Sequence, residues 1–112
     1  MKVREVTEAL GLEVAAGSAG LDREVTGGYS GDLLSDVMAK ARPKDLWLTI
    51  QGHQNIVAVA VLTELAGIVV CGGVAPEADT LARADRENIP VLRTPMNTFE
   101  TAGKLARLLG LV

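Results

Sequence analysis

The chain has 112 residues, 48% of them hydrophobic, with a net charge of −3 and an isoelectric point near 5.1. This length is typical of one domain, so residues 1–112 are treated as a single unit. Lysine and arginine are scattered without a basic run, which argues against a nucleic-acid-binding surface. The longest unbroken apolar run, residues 56–62, is far shorter than a membrane span of ~20 residues.

The few aromatic and sulfur-containing residues limit the kind of core and the compartment. Trp47, Tyr29 and Phe99 are the only aromatic residues, so the core must be built mainly from aliphatic side chains. Cys71 is the only cysteine, which excludes an internal disulfide and fits a reducing compartment. Because the N-terminus also lacks the apolar stretch of a signal peptide, we expect a cytoplasmic protein.

The N-terminal part of the chain predicts one helix and two short strands. Apolar residues recur at helical spacing over residues 3–10, and Gly11 is placed to end that helix. Residues 12–14 alternate like a strand, and residues 23–26 have the composition of a second one. A glycine-rich loop separates these two strands.

Residues 27–31 are rich in glycine and indicate a turn. Asp32 is a residue type favoured at helix N-caps, and an apolar stripe follows it. Pro43 ends that helix, since proline disfavours helical geometry in the residue before it.

The rest of the chain alternates between strands and helices. The predicted strands are residues 45–50, 68–71 and 89–92, and the predicted helices are residues 54–65, 76–87 and 97–109. Asn88 is placed to end the second of these helices. Residues 54–65 would also suit a strand by composition, but clear strands on either side favour a helix. This alternation predicts an α/β domain with a mostly parallel sheet of four or five strands, flanked by helices.

The last helix carries its own start signal. Asn97 and Glu100 have the spacing of a capping box, and Gly110 marks the end of the helix. The predicted apolar face of this helix consists of Phe99, Ala102, Ala106 and Leu109.

One segment resembles the signature of a known family. Residues 21–28 read Leu-Asp-Arg-Glu-Val-Thr-Gly-Gly, and they resemble the motif that names the DRTGG family, with two residues interrupting it. The matching positions are Asp22, Arg23, Thr26, Gly27 and Gly28. The resemblance continues through residues 31–37, 45–49, 67–73, 89–94 and 97–99, so it covers nearly the whole chain.

This resemblance implies a regulatory domain that can mediate dimer contacts and that also occurs inside larger proteins. Those proteins include long phosphotransacetylases and pyrophosphatases that carry CBS domains. The family is similar in fold to the N-terminal domain of HPr kinase and to the nucleotide-binding N-terminal domain of Mur ligases. In such proteins the catalytic machinery lies mostly in other domains, so the resemblance implies a chain without enzymatic activity.

The residues themselves offer little for catalysis. A P-loop needs a lysine after its glycines. Neither Gly27-Gly28 nor Gly72-Gly73 has one, so both pairs are interpreted as tight turns, with close approach to an anion as the alternative. His53 is interpreted as a capping or solvent-exposed residue, with a ligand contact as the alternative. Cys71 is interpreted as a buried, inert thiol. No catalytic residue, metal site or cofactor is predicted.

Any ligand is expected at the carboxyl ends of the parallel strands, where ligands collect in open α/β sheets. The residues placed there are Gln51, Gly52, His53, Gly72, Gly73, Arg93, Thr94, Asn97 and Thr98. Among them, Arg93 and the neighbouring hydroxyl groups would suit a phosphate or a carboxylate.

Three interpretations of function remain open. The first is a non-catalytic regulatory or ligand-sensing module that self-associates, and the second is a binding subunit for a nucleotide or a phosphorylated metabolite. The third is a small enzyme that uses His53 or Cys71. A homodimer is expected because residues 54–65 have no polar face across their middle, although the first or last helix could cover them internally.

Overall fold

Five strands form one sheet in the order β1-β5-β4-β3-β2 in the computed structural model, which describes residues 1–112. The strands are β1 (Glu13–Ala16), β2 (Gly27–Ser30), β3 (Asp45–Thr49), β4 (Gly67–Val70) and β5 (Val91–Arg93). The helices are α1 (Val3–Leu10), α2 (Leu34–Lys40), α3 (Asn55–Leu62), α4 (Ala78–Glu87) and α5 (Thr98–Leu108). None of the helices combines the length and the hydrophobicity that crossing a membrane requires.

The central strands β3 and β4 are buried along their whole length, because helices cover both faces of the sheet. Trp47 and Ile68 point towards a core shared with α2, α3 and α4. Leu48 and Val69, each one position further along its strand, point towards a core shared with α1 and α5. The alternation of side chains along each strand therefore builds two aliphatic cores from one sheet.

Strands β2, β3, β4 and β5 run parallel, and β1 joins the edge of β5 in the antiparallel sense. This arrangement confirms the predicted fold class, including parallel strands near Asp45, Gly67 and Ile89. The antiparallel pair contains a register shift between Val14 and Ala16.

Residues 54–65 contain a helix, α3, as predicted. Its side chains Ile56, Val57, Val59 and Ala60 are buried in the core shared with α2 and α4. The sheet and those two helices, rather than the first or last helix, pack against its buried side. Val61 and Leu62 remain 41% and 70% exposed.

The predicted strand at residues 23–26 is wrong, and the predicted turn at residues 27–31 contains strand β2 instead. Around residues 23–26 there is only an isolated bridge between Lys2 and Glu24. β2 pairs with the buried strand β3 along its whole length, and this tertiary pairing overrides the weak strand propensity of glycine.

Three details of the predicted helices also need correction. Leu33 occupies the N-cap of α2, while the carboxylate of Asp32 instead accepts hydrogen bonds from the Thr49 hydroxyl and the Ile50 amide. Helix α4 begins at Ala78 rather than at the proline before it. Phe99 is 89% exposed, so it does not belong to the buried face of α5.

The predicted helix ends at Gly11 and Asn88 are confirmed, since both residues adopt the left-handed conformation. The predicted N-cap of α5 is also confirmed. The side chain of Asn97 accepts a hydrogen bond from the Glu100 amide at 2.8 Å.

The loop between β1 and β2 packs directly against the end of α4. A Cβ atom on Gly17 would lie 1.9 Å from the carbonyl oxygen of Ile89, and one on Gly20 would lie 2.2 Å from that of Asn88. Gly17 also has a left-handed φ of 71°, and its amide donates to the Asp85 carboxylate at 2.7 Å. Both glycines are therefore required by close backbone contact.

We predict that Gly17→Ala lowers the free energy of unfolding by about 3 kcal/mol or more, because the added methyl group meets backbone atoms that cannot move. Urea unfolding followed by circular dichroism measures this change.

Two matched substitutions separate the effect of the close contact from that of the left-handed backbone conformation. Gly11→Ala adds a methyl group in open space at a left-handed φ of 65°, so it should cost only about 1 kcal/mol. Gly103→Ala lies in open space within α5 and should stabilise by about 0.5–1 kcal/mol. Equal effects for Gly17→Ala and Gly11→Ala would show that the close contact is unimportant.

Candidate functional site

The loops that follow β3, β4 and β5 meet at one edge of the sheet, as expected for parallel strands. The amides of Gly72 and Gly73 donate to the carbonyl oxygens of Met96 and Thr94, at 2.8 and 3.0 Å. The carbonyl oxygen of Gly52 accepts from the Glu77 amide at 3.0 Å. These bonds tie the three loops to one another and to the start of α4.

The loop after β3 is occupied with structural hydrogen bonds. Gln51 donates through its side-chain amide to the Asp32 carbonyl at 3.1 Å. Gly52 accepts a second bond, at 2.6 Å, from the hydroxyl of the buried Thr80. The Nδ1 atom of His53 accepts from the Asn55 amide at 3.1 Å, so this histidine caps the start of α3. Of the two interpretations of His53, capping agrees with these contacts.

Only three of the nine expected ligand residues share a pocket. Gly73, Arg93 and Thr94 line a polar pocket of about 160 Å³. The remaining wall comes from Gly11, Glu13 and Pro95. The other six expected residues lie on the same edge of the sheet, outside this pocket. They are Gln51, Gly52, His53, Gly72, Asn97 and Thr98.

Arg93 is the only cationic residue of this pocket. Its Nε donates to the Val74 carbonyl at 3.2 Å, which fixes the guanidinium group. Its Nη1 lies 3.7 Å from the Glu13 carboxylate, which is 67% exposed. Because that pair is long and open to solvent, it holds Arg93 weakly, and an anion can compete with Glu13 for the guanidinium group.

Sequence reasoning missed Gly11 and Glu13. Gly11 lies in the turn after α1, and Glu13 lies in β1. Only the antiparallel pairing of β1 with β5 brings them beside Arg93, which is the register partner of Glu13. Because the strand order determines this pairing, no local motif could have revealed it.

Cys71 follows β4 and lies in the core beneath α5, where it is fully buried. Burial raises the pKa of its thiol, against smaller opposing effects of hydrogen bonds with Thr101 and Thr98. The thiol donates a hydrogen bond to the Val69 carbonyl at 3.7 Å, and this partner is not a base that would activate it. No three His, Cys, Asp or Glu side chains are grouped so that they could hold a metal ion.

The motif that resembles the DRTGG signature makes structural contacts. Asp22 accepts a hydrogen bond from Arg4 at 3.2 Å, and this contact lowers the pKa of its carboxyl group. Arg23 donates to the Asn88 carbonyl at 3.2 Å. The Thr26 amide donates to the Lys44 carbonyl at 3.1 Å.

The two motif glycines of β2 leave room for neighbouring side chains. A Cβ atom on Gly27 would lie 2.7 Å from the Asp45 carboxylate, and one on Gly28 would lie 2.9 Å from Leu105. The expected tight turn at this pair is therefore wrong, because the pair lies within a strand. The requirement for glycine at both positions follows from packing.

Comparison with known proteins agrees with this fold. The family model described as DRTGG domain matches residues 5–108. One similar solved structure is that of the CBS and DRTGG domains of the regulatory region of Clostridium perfringens pyrophosphatase, complexed with the activator diadenosine tetraphosphate. The TM-score is 0.70 at 16% sequence identity, over 96% of this chain and 45% of that one. Among curated proteins, none matches the sequence of this chain.

We predict that Cys71 in the folded protein reacts at least ~100-fold more slowly with iodoacetamide at pH 8 than it does in urea. Burial blocks access, and the raised pKa leaves less thiolate at any given pH. Mass spectrometry of timed samples measures the two rates. Rapid labelling of the folded chain would contradict a buried thiol with a raised pKa.

Proposed function

The chain belongs to the DRTGG domain family, and from that premise we propose that it is a non-catalytic regulatory module that senses a small anionic ligand. The observation that supports this proposal is the polar pocket at the carboxyl edge of the sheet, where Arg93 is its single cation. Small domains that regulate a partner need a binding site and a surface that responds to it, and they need no catalytic groups.

The size of the pocket limits the ligand. At about 160 Å³ it is smaller than the ~300–1,000 Å³ of usual ligand pockets. It would accommodate one phosphate or carboxylate group, while the rest of a larger molecule would lie along the surface. A nucleotide fits this description, and the similar pyrophosphatase region was crystallised with a dinucleotide activator.

The absence of enzymatic activity is part of the proposal. The only histidine caps a helix through its Nδ1, and the only cysteine is buried with a raised pKa. Neither group is placed as a base or as a nucleophile towards the pocket around Arg93. A cytoplasmic location also belongs to the proposal, since the lone cysteine is a free thiol.

A thermal-shift screen tests the ligand. The panel is pyrophosphate, acetyl phosphate, AMP, ADP, ATP and diadenosine tetraphosphate. A ligand present at ten times its dissociation constant stabilises a domain by about 1.4 kcal/mol, which raises the Tm by about 5 °C. We expect such a shift for at least one compound with the wild type, and its loss in Arg93→Gln.

The matched control is Arg86→Gln, an exposed arginine on α4 without an ion pair. Each variant is compared with its own ligand-free Tm, so a change in basal stability does not affect the result. A shift that persists in Arg93→Gln would contradict the placement of the site. No shift with any compound would contradict binding of phosphorylated ligands.

Self-association is the second part of the proposal. After α2 and α4 have covered most of α3, Val61 and Leu62 still expose apolar surface beside each other. Leu62, at 70% exposure, is the more prominent of the two. Pairing of two copies about a two-fold axis would bury both residues.

We predict that the wild type elutes as a dimer in size-exclusion chromatography with light scattering at about 50 µM. At this concentration most of the protein is dimeric if the dissociation constant of the dimer is micromolar. Leu62→Glu should convert it to a monomer, because the charge would be buried in the interface. Leu33→Glu is the control, since Leu33 is similarly exposed, at 68%, at the start of α2. A monomeric wild type, or a dimeric Leu62→Glu, would contradict this interface.

A further inference from the structure

The outer edge of β2 offers a binding surface on the side of the sheet opposite to Arg93. β2 is the last strand in the sheet order and pairs only with β3. One row of its backbone N–H and C=O groups therefore has no strand partner. Residues 26–29 line an open groove of about 510 Å³ along this edge. The groove is also lined by Lys40, Arg42, Pro43, Asp45 and Leu111.

An apolar pocket adjoins the groove on the α5 face of the sheet. Gly28 and Ser30, alternate residues of β2, line this pocket of about 170 Å³, and Gly28 also lines the groove. The other lining residues are Leu48, Ala102, Leu105, Ala106, Leu109 and Leu111. Alternate residues of a strand face the same side, so a strand added next to β2 would direct every second side chain towards this pocket.

An exposed arginine, Arg42, lies at the α2 end of the groove. The side chain of Arg42 has no hydrogen bond and no ion pair within the chain. Lys40 pairs with Asp36, which also accepts a hydrogen bond from the Tyr29 hydroxyl, and the lysine side chain is 68% exposed. The Asp45 carboxylate, which also lines the groove, is buried and accepts a hydrogen bond from the Arg42 main-chain amide at 2.9 Å. The guanidinium group of Arg42 is therefore the exposed charged group of the groove without a side-chain partner.

We propose that an extended segment of another protein binds as an additional strand on the edge of β2. Its main chain would pair with the free row of β2, one apolar side chain would enter the pocket beneath α5, and the next side chain, an acidic one, would meet Arg42. The occupant is thus a peptide with alternating apolar and acidic residues. This inference is independent of the ligand site, because Arg93 lies two strands beyond β3 in the sheet.

A second copy of the chain does not fit the same edge. Two-fold pairing of β2 with itself would place only Gly28 and Ser30 opposite the apolar pocket, and neither can fill it. It would also offer Arg42 no acidic partner from the paired strand, because residues 26–30 carry no carboxylate. The charge and the pocket both favour a different sequence.

The experiment uses a fluorescein-labelled peptide of sequence Ser-Thr-Leu-Glu-Leu-Glu-Thr-Ser and fluorescence anisotropy with the full chain. We expect saturable binding below about 1 mM, a range usual for short peptides. A peptide with lysine in place of glutamate should bind at least tenfold more weakly. Arg42→Glu should reverse this preference, while Arg86→Glu, an exposed arginine on α4, should leave it unchanged.

Backbone pairing is tested on the peptide, so that it does not depend on the folding of any variant. One peptide carries N-methyl groups on the leucine amides and another carries them on the glutamate amides. Because successive amides of a strand point to opposite sides, one methylated peptide should bind like the unmethylated peptide. The affinity of the other should fall at least tenfold.

The apolar pocket is tested with Ala106→Leu, which places a larger side chain in its lining. The substitution should weaken binding of the leucine peptide at least tenfold and leave binding of a peptide with alanine in place of leucine unchanged. Ala82→Leu, on the exposed face of α4, is the control.

The proposal is overturned if no alternating peptide binds, if both methylated peptides bind equally, or if Arg42→Glu leaves the charge preference unchanged. Competition between the peptide and dimerisation of the chain would assign this edge to a second copy instead.

Discussion

Burial of the central strands on both faces is the constraint on which the rest of the structure depends. Leu46, Trp47 and Leu48 are at most 1% exposed, so each of the two faces of β3 requires its own helical layer. With one tryptophan as the only large aromatic of the core, the filling is otherwise aliphatic, and close packing depends on many small contacts. The hydrogen bond from the Trp47 indole to the Gly31 carbonyl satisfies its only buried donor.

The family motif follows from the same constraint. Because β3 is buried on both faces, β2 must approach it closely at Gly27 and Gly28, where Asp45 and Leu105 occupy the space that a side chain would need. The charged residues of the motif hold the preceding loop against α1 and the end of α4. The motif residues thus make packing contacts around the edge strand. Both glycines also line the open groove beside β2.

The sequence predicted the parts of the fold that depend on local patterns. The alternation of strands and helices identified β3 and β4, and the residues Gly11, Asn88 and Asn97 marked helix ends correctly. Two of the failures have a common physical cause, which is long-range contact. Asp32 has the chemistry of a helix cap, yet Thr49 and Ile50, seventeen and eighteen residues away, provide its donors. The strand at the motif glycines likewise depends on pairing with β3, which composition does not encode.

The candidate site also combines residues that the sequence could predict with residues that it could not. Topology placed the loops after β3, β4 and β5 at one edge, and Gly73, Arg93 and Thr94 meet in one pocket there. The residues that complete it, Gly11 and Glu13, depend on the antiparallel addition of β1. The groove along β2 could not be predicted either, because it requires knowledge of which strand lies at the edge of the sheet.

Helix α5 is the element that both surfaces share. It begins at Asn97, in the loop that Gly72 and Gly73 hold through Thr94 and Met96. It ends beside Leu109, which lines the apolar pocket next to β2. Displacement of the loop at Thr94 by a ligand would be transmitted to that pocket through this helix of 11 residues. Any such coupling is reciprocal, so a strand bound at β2 would change the affinity for the ligand by the same factor.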